Sequence, residues 1–302
     1  MGEGYGYGKV ILFNEHFVVY DVPAIASAID KTTTARVKKS PPGLVLHDER
    51  MATPGYKENK KDQQQDSLRY IFQAMDVSPD HEIWLNGDLK AASGIGASAA
   101  SCAAIARAIN DEYDIGLSIE DINHVAYEGE RGYHGTPSGL DNTVATHGGL
   151  VWFQSGDMER LDMPEPVDIV MGNTGIVADT KQAVAGVRKR REQQPDKYKE
   201  IFQQADQLAH QARDALLASD WQKTGRYMNQ NHELLQQIEV SSPELDELVD
   251  LAREQGAPGA KMTGGGLGGF MVALTPGEEL QESVAAAIED AGYEALRTRV
   301  GI

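Results

Sequence analysis

The segment KAASGIGASAAS, residues 90–101, decides how the rest of the chain is interpreted. Two glycines, Gly94 and Gly96, precede an alanine-rich run that predicts a helix over 99–113. Glycine lets the backbone bend sharply and approach a ligand closely. The start of the helix offers unpaired amide groups and the positive end of its dipole. A turn of this kind followed by a helix predicts a phosphate-binding site.

Bulk composition limits the class of protein. A chain of 302 residues can bury a sizeable core and favours two domains. The net charge of −18 argues against binding to nucleic acid or to a membrane surface. The apolar runs are much shorter than the roughly 20 residues of a membrane span, and the N-terminus does not resemble a signal peptide. The only cysteine, Cys102, is interpreted as a small packed residue, and a single cysteine is typical of a reducing cytoplasm.

Strands and helices interleave with connections of uneven length, which favours the α+β class. Hydrophobic periodicity predicts strands at 9–13, 17–20, 24–39, 82–89, 148–153, 167–171, 260–263, 270–274 and 294–300. It predicts helices at 66–75, 99–113, 118–129, from 180, and at 197–219, 221–238, 243–255 and 277–291. The polar segment 40–66 is predicted as loop. The segment 156–166 contains two prolines and marks a domain boundary.

Three interpretations of the glycine turn remain open at this point. The glycines could serve backbone geometry alone. The pattern Gly94-x-Gly96-x-x-Ala99 also satisfies a loose dinucleotide fingerprint, with the acidic residues Asp111, Glu112 and Asp114 downstream. The third interpretation is a nucleoside-triphosphate loop. The chain has no Walker A lysine pattern, so such a loop would not belong to a P-loop ATPase.

Two further segments favour a nucleotide held between two lobes. The segment EGERGYHGTPSGLDN, residues 128–142, places Glu130 and Asp141 on either side of a proline–serine–glycine turn. The segment KMTGGGLGGF, residues 261–270, has five glycines among six residues and then enters a strand. Glycine at this density is costly in backbone entropy and indicates close approach to a ligand or to another backbone.

In these three glycine and acidic segments, and in YGKVILFNEHFVV at residues 7–19, the chain resembles the GHMP kinases. The first block is similar to the family's Pro-Gly-Lys and Gly-Glu-His motif. Residues 94–99 are similar to its phosphate loop, and residues 261–269 to its third glycine motif. The pair Glu15-His16 and the pattern HGTPSGLDN at 134–142 are most similar to the branch that acts on mevalonate.

The resemblance implies a two-lobed α+β fold. The N-terminal lobe, residues 1–166, would resemble ribosomal protein S5, and the C-terminal lobe, residues 167–302, would be ferredoxin-like and close the active-site cleft. It implies transfer of a phosphoryl group from ATP, with Mg²⁺, to the 5-hydroxyl of mevalonate. Nucleic acid and membrane are not implied as partners, and a homodimer is compatible with the resemblance.

The resemblance also assigns roles to individual residues. Asp141 corresponds to the catalytic aspartate and Lys9 to the cation beside it. Ser98 and Glu130 correspond to the Mg²⁺ ligands. The residues over which the ATP phosphates would lie are Ser93, Gly94, Ile95, Gly96, Ala97 and Ser98. The substrate-side residues would be Glu15, His16 and Thr180, and the third glycine motif Gly264, Gly265 and Gly266.

The chain departs from the family pattern at several positions: Tyr7 and Lys90 stand in place of prolines, Asn14 in place of a glycine, and Ala97 in place of a serine. Met262 and Leu267 vary the third motif mildly. None of these removes a catalytic group, but they put substrate selectivity and ATP affinity in question. The alternatives are a sister kinase for homoserine, a sugar or phosphomevalonate, a dinucleotide-dependent oxidoreductase, and a catalytically silent sensor on the same fold.

Overall fold

The computed structural model describes residues 1–40, 42–92, 94–178 and 180–302. These residues form two compact units that interleave along the chain. The first unit contains 1–9, 28–92 and 96–148, and the second contains 10–27, 94–95 and 149–302. The division into two lobes at residue 166, expected from the sequence, stays a prediction.

The first unit packs helices on one side of a sheet. Its strands are β1 (Gly2–Phe13) and β2 (Ala24–Lys39), which both continue into the second unit, with β3 (Val45–Asp48) and β4 (His81–Gly87). Its helices are α1 (Tyr56–Ala74), α2 (Ala97–Tyr113), α3 (Ile119–His134) and α4 (Leu140–His147). The later part of β2 pairs antiparallel with β4, and β3 pairs parallel with β4. The core is formed mostly by the apolar faces of α1, α2 and α3 against these strands.

Strand β1 lies directly on helix α2, and its alternating glycines make this possible. A Cβ added to Gly2, Gly4 or Gly6 would overlap the backbone of α2. The overlapped carbonyl oxygens belong to Ala108, Ala104 and Ala100, which follow one another by four residues. The two-residue period of the strand thus meets one face of the helix. This contact fixes α2 against the strand that carries Lys9.

The second unit contains a four-stranded antiparallel sheet. Its order is β10-β7-β9-β8, formed by β7 (Val167–Asn173), β8 (Gly259–Thr263), β9 (Phe270–Leu274) and β10 (Glu294–Val300). The helices are α5 (Thr180–Gln193), α6 (Pro195–Leu217), α7 (Trp221–Gln237), α8 (Pro243–Glu254) and α9 (Glu278–Asp290). The hairpin of β5 (Leu150–Gln154) and β6 (Asp157–Leu161) pairs with the first residues of β2. Apolar residues of the sheet and helices form a second core.

The α+β class is confirmed, and most elements lie within a few residues of their predicted bounds. Residues Phe17–Tyr20 form a short 3-10 helix, so the predicted strand there is wrong. Asn14 has a left-handed backbone, with φ of 71°, and its carbonyl accepts the amide of Val18. This turn directs the apolar run into a helical turn. The predicted loop 40–66 is also wrong in part, because it contains β3 and the first half of α1.

Among the described residues, no helix combines the length and the apolar character that crossing a membrane requires.

Candidate active site

The glycine turn that is predicted to bind phosphate ends at Gly96, the N-cap of α2. Gly96 has φ of 71°, and a Cβ there would lie 2.6 Å from Cγ of Lys9, so both conformation and space require glycine. Because the N-cap is glycine, it provides no side chain to cap the first-turn amides of α2. Ala97 is buried, and Ser98 is half-buried. The helix therefore begins two residues before the predicted Ala99, with no side-chain cap at its N-terminus. Binding of an anion by its first-turn amides stays a prediction.

Lys9 and Asp141 form an ion pair in the first unit, with Nζ 3.0 Å from Oδ1. The Lys9 side chain is 2% exposed and the Asp141 side chain 32% exposed. A buried ammonium requires a compensating charge, and Asp141 supplies it. Asp141 is the second residue of α4, a helix that begins after Gly139 and that the sequence analysis did not foresee. The pairing itself agrees with the expected position of Lys9.

Glu130 lies on α3 with its side chain 1% exposed. Its Oε1 is a buried oxygen without a hydrogen-bond partner in the described part of the chain, while the Ser98 hydroxyl bonds to the carboxylate. Burial and the nearby charge of Asp141 raise the pKa of Glu130 to about 8, although Ser98 and Lys9 oppose them. The other oxygen, Oε2, lies 3.5 Å from Nε2 of His134. A desolvated carboxylate with one unpartnered oxygen beside a hydroxyl fits a site for a hard cation.

In the second unit, the segment Asn14-Glu15-His16 is held from several sides. The Asn14 side chain donates to the carbonyls of Pro23 and Ala205, at 2.7 and 2.9 Å. It also accepts from Asn231 at 2.8 Å. These bonds stabilise the left-handed backbone that asparagine tolerates better than most residues. Asn14, which replaces the family's glycine, therefore supports the turn that presents Glu15 and His16.

Glu15 forms a buried ion pair with Lys261 of β8, and both side chains are almost fully inaccessible to solvent. Lys261 also donates to the carbonyl of Met262 at 2.7 Å. Lys261 was not foreseen as a site residue. The sequence does carry a signal for Lys261, because this lysine stands inside the strand GAKMT, whose other residues are apolar, small or weakly polar. A lysine buried in such a strand needs an acidic partner.

His16 donates from Nε2 to the carbonyl of Gly265 at 2.9 Å. Burial lowers the pKa of His16 to about 4, opposed by that hydrogen bond and assisted by the charges of Arg190 and Lys261. The imidazole is therefore neutral at physiological pH. Its link to Gly265 joins the first motif to the third glycine motif within the second unit.

The third glycine motif has close backbone neighbours. A Cβ on Gly264 would lie 2.6 Å from Cα of Gly94, and a Cβ on Gly265 would overlap the hydroxyl of Thr180. A Cβ on Gly266 would overlap the carbonyl of Val240. The expected close approach of another backbone is thus observed. Thr180, the first residue of α5, therefore lies against the third glycine motif. Ile95, from the predicted phosphate turn, is fully buried.

Ser93, expected among the phosphate contacts, lies outside the described residues, as does Asp179 before Thr180. The structure brings Lys9, Ser98, Glu130 and Asp141 together in the first unit. It brings Glu15, His16, Thr180 and the third glycine motif together in the second. The roles assigned to all of these residues stay predictions.

We expect the His16→Gln variant to change how stability depends on pH. The folded pKa of His16 lies below its unfolded value of 6.5, so the unfolded state binds more protons below that pH. The contribution of His16 to stability is therefore present above about pH 6.5 and is lost as pH falls towards 4. Between about pH 6.5 and 5, the unfolding free energy of the wild type should fall by about 2 kcal/mol relative to the variant.

Urea unfolding of both proteins across this pH range measures the difference between their unfolding free energies. The other titrating groups are the same in both proteins, so their contributions cancel. His124→Gln makes the same chemical change at an exposed histidine and is the control for the substitution itself. A pH-independent difference between wild type and His16→Gln would contradict the burial of a neutral imidazole.

Comparison with known families agrees with this geometry. Residues 65–149 match the family described as GHMP kinases N terminal domain, and residues 212–294 match GHMP kinases C terminal. The chain belongs to the GHMP kinases. Kinases of this family use ATP, so this GHMP kinase has a known class of phosphate donor. Membership of this family removes the alternative of a dinucleotide-dependent oxidoreductase.

Individual relatives of this GHMP kinase share one name. The mevalonate kinase of Pyrococcus abyssi is 35% identical to it, over 97% of the chain and 93% of the relative. That of Pyrococcus horikoshii is 36% identical over the same shares. The crystal structure of L. major mevalonate kinase in complex with R-mevalonate superposes with a TM-score of 0.93 at 37% identity, covering 99% of this chain and 96% of that one. The Methanococcus jannaschii mevalonate kinase, at 23% identity and a TM-score of 0.80, supports the fold alone.

Proposed function

We propose that this kinase transfers the γ-phosphoryl group of ATP to the 5-hydroxyl of mevalonate, giving 5-phosphomevalonate and ADP. The observation that carries the proposal is the near full-length similarity to the L. major enzyme whose structure contains R-mevalonate. The pair of the buried Lys9 with the partly exposed Asp141 supports it, because the geometry suits activation of an alcohol. The neighbours of the same fold include a Streptococcus pneumoniae phosphomevalonate kinase at 16% identity, so the fold by itself does not select the substrate.

In the proposed reaction, the 5-hydroxyl oxygen forms a bond to the γ-phosphorus. The bond from that phosphorus to the β,γ-bridging oxygen breaks, and ADP leaves. Asp141 accepts the proton of the hydroxyl, or orients the hydroxyl toward phosphorus. A weak base suffices because catalysis of phosphoryl transfer is mostly positioning and charge stabilisation. Lys9, held 3.0 Å from Asp141, stabilises the negative charge that develops on the transferring group.

The ATP phosphates would lie over the first-turn amides of α2, where the helix dipole and the unpaired N–H groups favour an anion. The flanking residues Gly94 and Gly96 have positive φ angles of 98° and 71°. Ala97 offers only a buried methyl, whereas the hydroxyl of Ser98 bonds to Glu130.

Mg²⁺ would be held by Ser98 and Glu130. The orphaned Oε1 of Glu130 and the adjacent hydroxyl are oxygen donors of the kind that Mg²⁺ prefers, with phosphate oxygens and water completing its shell. When bound, the ion would neutralise charge on the β- and γ-phosphates. Glu15, His16 and Thr180 would contact the substrate from the second unit's own cluster.

Release of ADP with a panel of acceptors tests the proposal. With mevalonate, we expect a kcat/KM at least a hundredfold above that with homoserine, galactose or phosphomevalonate, since a site that pairs specific polar groups rejects analogues strongly. The product should carry phosphate on the 5-oxygen by ³¹P and ¹³C NMR. If another acceptor gave the highest kcat/KM, that acceptor would be the substrate in place of mevalonate, and the protein would still be a kinase.

The Glu130→Gln variant should need a higher Mg²⁺ concentration for half-maximal activity and lose about 10²-fold or more in kcat. The raised pKa of Glu130 already favours the neutral acid at neutral pH, and the amide is neutral and of similar shape, so the unfolding free energy should change little. Glu128→Gln is the matched control, because Glu128 pairs with Arg131 at the surface of the same helix. Equal Mg²⁺ dependence of the Glu130→Gln variant and wild type would remove Glu130 from the metal site.

A further inference from the structure

A buried arginine lies against the first turn of α2, and none of the functional motifs accounts for it. Arg50 follows β3 and is 4% exposed. Its Nη1 donates to the carbonyl of Ala97 at 3.2 Å and to the hydroxyl of Ser101 at 2.5 Å. The Ser101 hydroxyl donates in turn to the same Ala97 carbonyl, at 2.7 Å. The guanidinium therefore holds the residue with which α2 begins.

The other edge of the guanidinium is held by Asp48. Nε and Nη2 of Arg50 donate to the two carboxylate oxygens at 2.9 and 2.6 Å, a forked arrangement that fixes the plane of the group. Gln64 donates to the same carboxylate at 3.2 Å, and Lys57 to the Asp48 carbonyl at 2.7 Å. Burial raises the pKa of Asp48, but its hydrogen bonds to Arg50 and Gln64 and the charges of Arg50 and Lys57 outweigh it and lower the pKa.

The backbone around Arg50 is also tied to the chain that enters the phosphate turn. The amide of Ala91 donates to the carbonyl of Met51 at 2.7 Å, and the amide of Thr53 donates to the carbonyl of Ala91 at 3.1 Å. Glu49 donates to the carbonyl of Leu85, at the end of β4. One short segment, residues 48–53, thus holds both the chain that leads to the turn and the helix that follows it.

The Arg50–Asp48 ion pair is oriented with its positive group toward the start of α2. The guanidinium contacts the first turn of α2, whereas the carboxylate lies on the opposite edge of the guanidinium. The positive end of the pair therefore faces the helix start and adds to the positive end of the helix dipole. Water screens charges weakly in a buried site, so the effect on a nearby anion is larger than at the surface. The protein's net charge of −18 makes such a local contribution more important.

We propose that Arg50, held by Asp48, is a positioning residue for ATP that fixes the first turn of α2 and adds positive potential where the phosphates bind. It acts through Ala97 and Ser101 and touches neither ATP nor the acceptor. The inference rests on the proposed phosphate-binding role of this turn. A solely structural brace would make the same contacts, so stability measurements cannot separate the two roles, and nucleotide affinity must do so.

The test is the dissociation constant of ATP, measured by calorimetry without an acceptor, for Arg50→Met, Arg50→Lys and Asp48→Asn. We expect Arg50→Met to weaken ATP binding about tenfold or more and to raise the KM for ATP, with the KM for mevalonate within twofold of wild type. Arg50→Lys keeps the charge but not the fork and should recover part of the affinity. Asp48→Asn loosens the fork and should weaken ATP binding less than Arg50→Met; it supplies the measurement if Arg50→Met does not fold.

Arg107→Met is the matched control. Arg107 braces the same helix further along, donating to the carbonyls of Tyr5 and Thr146 at 2.5 and 2.6 Å. Its loss should lower the melting temperature and leave ATP affinity within twofold. Equal effects of Arg50→Met and Arg107→Met on ATP affinity, or ATP binding by Arg50→Met within twofold of wild type, would overturn the inference. Failure of the wild type to bind ATP would instead reject the proposed function.

Discussion

Replacing Asp141 with Asn is expected to lower kcat by about 10²- to 10⁴-fold, the range that a positioned acid–base group contributes. The amide has nearly the same shape as the carboxylate but cannot accept the hydroxyl proton. It also leaves the buried ammonium of Lys9, now 3.0 Å from the carboxylate, without its compensating charge. ATP affinity should change little, because the first-turn amides of α2 are intact. The measurement is ADP release under saturating substrates, with ATP affinity by calorimetry.

Asp66→Asn is the control for this substitution. Asp66 pairs with Arg69 at 2.9 Å on the surface of α1, so the same chemical change is made in an exposed ion pair. Activity should stay within twofold of wild type, because exposed pairs contribute little. If Asp141→Asn kept its kcat within tenfold of wild type, the proposed role of Asp141 would be wrong.

Replacing Lys261 with Met is expected to cost about 3–5 kcal/mol of unfolding free energy, the usual cost of leaving one partner of a buried ion pair uncompensated. Glu15 has almost no contact with solvent, so its charge cannot be hydrated in place. The neighbouring His16–Gly265 link should loosen with it, which should raise the KM for the acceptor more than that for ATP. Denaturant unfolding and steady-state kinetics measure the two effects.

A double variant separates the loss of the Lys261–Glu15 ion pair from the loss of packing around the Lys261 side chain. The double variant Lys261→Met with Glu15→Gln removes both charges and should recover a substantial part of the lost stability. Lys223→Met, which breaks an exposed pair with Asp220 in the same unit, should cost less than about 1 kcal/mol. A cost of this small size for Lys261→Met would mean that the Glu15 charge is compensated by other groups.

The sequence predicts those parts of the site that depend on local backbone chemistry. Gly96 followed by alanines predicts both the helix and its uncapped start, because glycine conformation and helix propensity are local properties. The density of glycine at 264–269 predicts close backbone neighbours for the same reason. The proximity of Lys9 to Asp141 followed only from the family resemblance, because no local pattern relates residues so distant in the chain.

The features that sequence reasoning missed depend on tertiary contacts. The first half of α1, with the sequence YKENKKDQQQD, has almost no apolar periodicity, and its only fully buried residue is Tyr56. Strand β6 is short, and pairing with β5 defines it. Arg50 follows a short strand in a polar segment, and only its contacts with Asp48 and the first turn of α2 show its importance.

The glycines of β1 also make the position of Lys9 depend on the number of residues between Gly2 and Lys9. Two strand residues advance about 6.7 Å, and four helix residues advance about 6.0 Å, so the two repeats coincide over only a few steps. The match covers Gly2, Gly4 and Gly6, and at Gly8 the close neighbours are instead the side chains of Leu89 and Ile29. Inserting or deleting one residue before Lys9 would place Glu3 or Tyr5 against the helix backbone. Exchanges at positions 3 and 5 should therefore be tolerated far better than a change in the number of residues between Gly2 and Lys9.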